Sequence, residues 1–165
     1  MAKSGTISSG IAGEYFVAGE LSRRGYVASV TLRNTEGIDI LASDGAKAVN
    51  IQVKTCRRDQ SDGWDFGSKP LEQKAIWETT FYVLVEISSI HEESEVNYFI
   101  FPKNELNRRL EIVFQDWRNG LQKNGKARTS NRRRFKVREQ TNYWRNKKED
   151  FDMSRYQNSW VNLFA

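Results

Sequence analysis

Residues 37–54 are GIDILASDGAKAVNIQVK, and the alternation within this stretch decides the fold. Two apolar runs, Ile38–Ala42 and Ala48–Thr55, flank the tight turn Ser43-Asp44-Gly45 and read as a hairpin. Strand alternation sends Ile38 and Ile40 to one face and Asp39 to the other. In the second strand Ile51 and Val53 share a face, and Gln52 and Lys54 share the opposite one. Pairing through the turn then brings Asp39, Gln52 and Lys54 to the same side of the sheet. An acid, a neutral oxygen ligand and an amine converge there.

Working outward, Ile11–Arg24 reads as a helix with Ser9 as its N-cap and Gly25 as its C-terminal stop. Tyr26–Arg33 reads as a strand and Asn34–Gly37 as a turn. Beyond the hairpin, Arg57–Pro70 reads as a polar loop and Leu71–Trp77 as a short helix. Thr80–Ile87 (TFYVLVEI) is apolar almost throughout, which predicts a strand covered on both faces. Asn97–Phe101 is a further strand, Lys103–Phe114 a helix, and Phe135-Lys136-Val137 a short strand. Tyr156–Phe164 reads as a short packed helix anchored by Trp160 and Leu163. The elements together predict an α/β fold, with an early mixed sheet flanked by helices.

One polar residue breaks the first helix. Ile7, Ile11, Ala18 and Leu21 follow an apolar stripe, and the missing step is Glu14. A carboxylate on that stripe is costly unless a metal ion or a lysine satisfies it. Glu20 has an ordinary explanation, an exposed pair with Arg24 four residues on.

This set suits phosphodiester hydrolysis. A hard cation such as Mg²⁺, or Mn²⁺ in its place, takes oxygen ligands, usually one or two carboxylates with waters and substrate phosphate. Asp39 is the main candidate ligand. Either the Gln52 side-chain oxygen or the Val53 carbonyl adds another, and Glu14 binds directly or through water. Lys54 either polarises the attacking water or neutralises the transition state. Each fragment alone has a plain reading, Asp39 as a strand-end residue and Gln52-Val53-Lys54 as an exposed strand face.

The order Gly10, Glu14, Gly25-Tyr26, Gly37-Ile38-Asp39-Ile40-Leu41, Ile51-Gln52-Val53-Lys54 resembles the PD-(D/E)XK nuclease superfamily. It is similar above all to the archaeal Holliday-junction-resolvase-like and Mrr-type restriction endonucleases. The resemblance covers about residues 8–56. It implies a restriction-endonuclease-like α-β-β-β-α-β core. It maps the family acid to Asp39, the second acidic position to Gln52, the lysine to Lys54 and the helix glutamate to Glu14. Two positions depart from the pattern. Ile38 stands where the family has Pro, and Gln52 stands for the second acid, as in the QxK variant of some Mrr-type enzymes. The loss of that charge weakens cation binding and gives Glu14 more weight. Related nucleases often act as dimers, so a homodimer is also an implied assembly.

The chain has 165 residues, 38% of them hydrophobic, which fits one domain with a nuclease-like core over about 8–115 and a basic extension over 116–165. No apolar run is long enough to span a bilayer, and the first residues lack the apolar stretch of a signal peptide, so the expectation is a cytoplasmic protein without a membrane partner. A single Cys56 excludes an internal disulfide framework, and with one histidine, His91, a zinc site has no support. No phosphate-cradling glycine loop is present.

The net charge of +5 is unevenly spread: residues 1–100 carry 10 basic and 14 acidic side chains, residues 101–165 carry 16 and 7. A segregated basic region is an electrostatic footprint of nucleic-acid binding, here DNA. Arg132, Arg133, Arg134, Lys147 and Lys148 are the candidate backbone contacts, with Lys74 as a further one. Arg57 and Arg58 either grip phosphates beside the site or are loop charges. Trp64 and Phe66 either stack on bases or pack in the core. Three functions follow: a metal-dependent DNA endonuclease, an inactive DNA-binding module of the same fold, and a protein-interaction domain with a basic surface.

Overall fold

A computed structural model describes residues 5–32, 37–69, 79–89, 92–93, 95–136 and 153–165, with side chains from residue 9 onward. The hairpin predicted from residues 37–54 is present. Strand β2 (Ile40–Ser43) pairs antiparallel with β3 (Ala48–Arg57), Ile40 opposite Ile51 and Ser43 opposite Ala48. Its turn is tied by Asp44 Oδ1, which accepts the Ala46 and Lys47 amides at 2.8 and 2.7 Å. On the outer side β1 (Val27–Val30) adds antiparallel to β2.

β5 (Thr80–Ile87) lies parallel to β3, and β6 (Val96–Pro102) antiparallel to β5. The mixed sheet therefore runs β1-β2-β3-β5-β6. Helix α1 (Gly5–Arg23) covers one face, where Val17 and Leu21 pack with Ile40, Ile51, Val53, Val83, Val85 and Ile100. Helix α2 (Lys103–Asn119) covers the other, where Leu106 and Leu110 pack with Tyr82, Leu84, Phe99 and Phe101. β5 is covered on both faces, as its apolar run predicts. The class is α/β, a mixed sheet between helices.

Several boundaries differ from the sequence reading. α1 begins six residues or more before Ile11, so Ser9 lies inside it and not at its N-cap. Its buried line is Gly13, Val17, Leu21 at a spacing of four, which leaves Glu14 half-buried on the flank. A hydropathy count overlooks Gly13 because it has no side chain. Gly13 is there for closeness: a Cβ on it would overlap Thr55 Oγ1 of β3. Gly25 ends the helix as expected, at φ +86°, with its N–H donating to Ser22 and that of Tyr26 to Leu21.

The polar segment after Arg57 is not all loop. β4 (Trp64–Gly67) pairs antiparallel with β7 (Arg133–Phe135) in a small second sheet. Trp64 is fully buried, and its indole N–H donates to Val85 O at 2.9 Å. The C-terminal element consists of two short 3₁₀ turns, Ser154–Tyr156 and Trp160–Leu163, with Trp160 and Leu163 buried as predicted. The helix expected over Leu71–Trp77 lies outside the described residues. No described helix is long and apolar enough to cross a membrane.

Candidate phosphodiester site

Asp39 sits one residue before β2, where the sheet opens. Its backbone is held on both sides: its N–H donates to Ile51 O at 2.8 Å, and its carbonyl accepts the Thr31 N–H at 2.9 Å. Thr31 Oγ1 adds a bond to Ile38 O at 2.7 Å. β3 continues beyond this point without β2 beside it, so its next inward-facing amide, Val53 N–H, lacks a ladder partner. Asp39 Oδ2 supplies one at 2.7 Å. The carboxylate thus closes the end of the ladder, leaving Oδ1 without a hydrogen bond among the described residues.

Gln52 and Lys54 alternate with the buried Ile51 and Val53 and so point to the α2 face, as the sequence predicts. Gln52 lies opposite Tyr82, and Lys54 opposite Leu84. The Lys54 ammonium lies 5.9 Å above the Phe66 ring, which meets Tyr82 edge-on at 5.3 Å. The two loop aromatics therefore divide: Trp64 belongs to the core, and Phe66 to the wall beside Lys54.

One residue of this cluster was missed by the sequence reading. Lys103, at the start of α2, is 4% exposed, and its Nζ donates to Gln52 Oε1 at 3.0 Å. It also lies 5.2 Å over the Tyr82 ring. The signal was present. Lys103 and Asn107 both fall on the inward face of α2, with Leu106, Leu110 and Phe114, and interrupt its apolar stripe. A charged residue interrupting an apolar helix stripe is the same signal that marks Glu14 in α1.

Burial raises the Asp39 carboxyl above its ordinary value, against the Val53 amide and the Lys54 and Lys103 ammoniums, which lower it. Burial, with help from Asp39, pushes the Tyr82 phenol up to about 12. Cys56, two residues past Lys54, is buried and its thiol is pushed up to about 12, which makes it a packing residue and not a nucleophile. Glu14 belongs to α1, across the sheet from Gln52 and Lys54, next to the Gly13–Thr55 contact.

The donor set fits a hard cation in kind: the Asp39 carboxylate and the Gln52 carbonyl oxygen are the ligand types Mg²⁺ takes. Among the described residues no group of three or more His, Cys, Asp and Glu gathers. The cluster on the α2 face has one carboxylate, Asp39, so it relies on neutral oxygens and water. The point of friction is Lys103, whose ammonium already holds Gln52 Oε1.

The candidate DNA contacts are tied into the chain. Arg57 pairs with Asp59, and Arg58 with Glu86 and Glu95. Arg132 pairs with Asp65 and Arg134 with Asp62, both on exposed side chains. Arg133 is buried, paired with Glu111 and stacked 4.3 Å over Phe114, so it serves packing more than surface charge. Lys74, Lys147, Lys148 and His91 lie outside the described residues. No protein-family model matches the chain, and no curated protein matches it.

Proposed function

We propose that the chain is a metal-dependent endonuclease of PD-(D/E)XK type, acting on DNA phosphodiester bonds. The observation that carries this reading is the placing of Asp39, Gln52 and Lys54 on one face, at the point where β3 outruns β2. Mg²⁺ or Mn²⁺ would supply charge neutralisation at the scissile phosphate and a more acidic bound water. Asp39 Oδ1 and Gln52 Oε1 would hold the ion, with the Val53 carbonyl completing the set and Glu14, on the α1 side of the sheet, acting at most through water. Asp39 is kept in place by the bond from Val53 N–H and by its two backbone bonds. Lys54 holds an ammonium beside the carboxylate, where it meets a phosphate oxygen or orients the attacking water. The Phe66 ring, backed edge-on by Tyr82, lies on one side of that ammonium.

The test is cleavage of plasmid, branched and single-stranded DNA by purified protein with Mg²⁺ or Mn²⁺. Asp39→Ala and Lys54→Ala should each lower the rate by about a hundredfold or more, from the loss of one electrostatic contact to the reacting group. Cleavage that continues in EDTA, or that survives both substitutions, sinks the proposal. A second reading, an inactive DNA-binding module, is favoured by one observation: around one carboxylate, two ammoniums give the cluster a net positive charge suited to phosphate alone. Salt-sensitive binding without cleavage under either metal selects it.

A further inference from the structure

We infer that Lys103 is a movable internal cation of this site, holding an oxygen that a divalent ion would use and competing with it for that oxygen. The inference rests on the metal-site reading above. The Lys103 ammonium is enclosed: it donates to Gln52 Oε1 at 3.0 Å, faces the Tyr82 ring at 5.2 Å, acts electrostatically on Asp39, and lies 3.6 Å from where a Gly37 Cβ would stand. A buried ammonium must find acceptors, because its desolvation is costly. Here one acceptor is the side chain that replaces the second acid of the nuclease pattern. With Gln in that position the ammonium has a neutral oxygen to bind, and the site keeps a positive charge where a cation would otherwise sit.

A second observation says where the ammonium goes when a cation enters. Asn107 is one turn further along α2 on the same inward face, it is buried, and neither its Oδ1 nor its Nδ2 has a hydrogen-bond partner among the described residues. Side chains four apart on a helix are neighbours, within reach of a lysine's four-carbon stem. Asn107 Oδ1 is thus an empty acceptor to which Lys103 Nζ can turn. The metal-free and metal-bound states then differ in the partner of one Lys103 hydrogen bond, Gln52 in the first and Asn107 in the second.

The test uses Mn²⁺ alone, titrated into the full chain without DNA and read by the electron paramagnetic resonance of free Mn²⁺. Lys103→Met should tighten Mn²⁺ binding by about tenfold or more, since it removes a like charge from the site. Lys103→Gln should do the same, and it covers the case in which Met misfolds. Asn107→Leu should weaken binding in the wild-type background and have no effect in the Lys103→Met background. Unchanged Mn²⁺ affinity in both Lys103 variants overturns the inference, as does an Asn107→Leu effect that persists without Lys103. The nuclease reading is judged separately. Mn²⁺ binding that responds as stated, in a protein that cleaves no DNA, sustains Lys103 and removes the nuclease. Cleavage with no Lys103 effect on Mn²⁺ does the reverse.

Discussion

A single side chain can serve structure and chemistry together, and in the proposed site Asp39 would do both. One oxygen ends the β3 ladder by accepting Val53 N–H, and the other has no hydrogen bond among the described residues. Substituting Asp39 therefore exposes a buried amide as well as deleting a charge, so Asp39→Asn, which keeps an acceptor, separates the two effects. Thr55 is simpler. Its Oγ1 is buried without a hydrogen-bond partner, pressed against Gly13. A buried unsatisfied hydroxyl carries a desolvation cost that an isosteric apolar side chain avoids. Thr55→Val should raise stability by about 1 kcal/mol, seen as a higher urea midpoint at unchanged slope.

At the scale of elements, the contact between α1 and β3 orders the fold around the site. The helix approaches so closely at Gly13 that no side chain fits there. Gly13→Ala should destabilise the protein by about 1–3 kcal/mol, the usual cost of overpacking. Chemical denaturation reads that cost, and Thr55→Ala should recover part of it, whereas a loss that Thr55→Ala leaves untouched would place the strain elsewhere. Much of this element pattern was legible in the chain: the hairpin, the covered strand Thr80–Ile87, the Gly25 stop and the Glu20 pair, which the structure shows joined to both Arg23 and Arg24. What escaped has a physical cause. Ser9 reads as a cap although it lies inside α1, which shortens the predicted helix, and glycine is silent in a hydropathy stripe, so Glu14 takes the centre that belongs to Gly13. β4 is too short to show a period, and its partner β7 lies some seventy residues away.

Across the whole molecule, charge that is segregated along the chain is partly reunited in space. Asp62 and Asp65, from the acidic first hundred residues, meet Arg134, Lys136 and Arg132 from the basic remainder across the β4–β7 sheet. Exposed pairs of this kind are worth only about 0–1 kcal/mol, so a DNA phosphate can replace the carboxylate at little cost. If this face meets DNA, Arg132→Ala with Arg134→Ala should lower the slope of log affinity against log salt by about 2, measured by fluorescence anisotropy. An unchanged slope moves the DNA contacts off this face.

The local pattern of the chain by itself determined the hairpin and the common facing of Asp39, Gln52 and Lys54, because strand alternation is a property of consecutive residues. It also determined the α/β class, since helix and strand periods are written locally. Only the tertiary structure decided that Asp39 completes the β3 ladder, that Trp64 is core and Phe66 lies against Lys54, and that Arg133 is buried. It alone brought Lys103 onto Gln52, fifty-one residues away in the chain. Contacts between distant segments follow from how the elements pack around one sheet, and no short stretch of sequence contains that information.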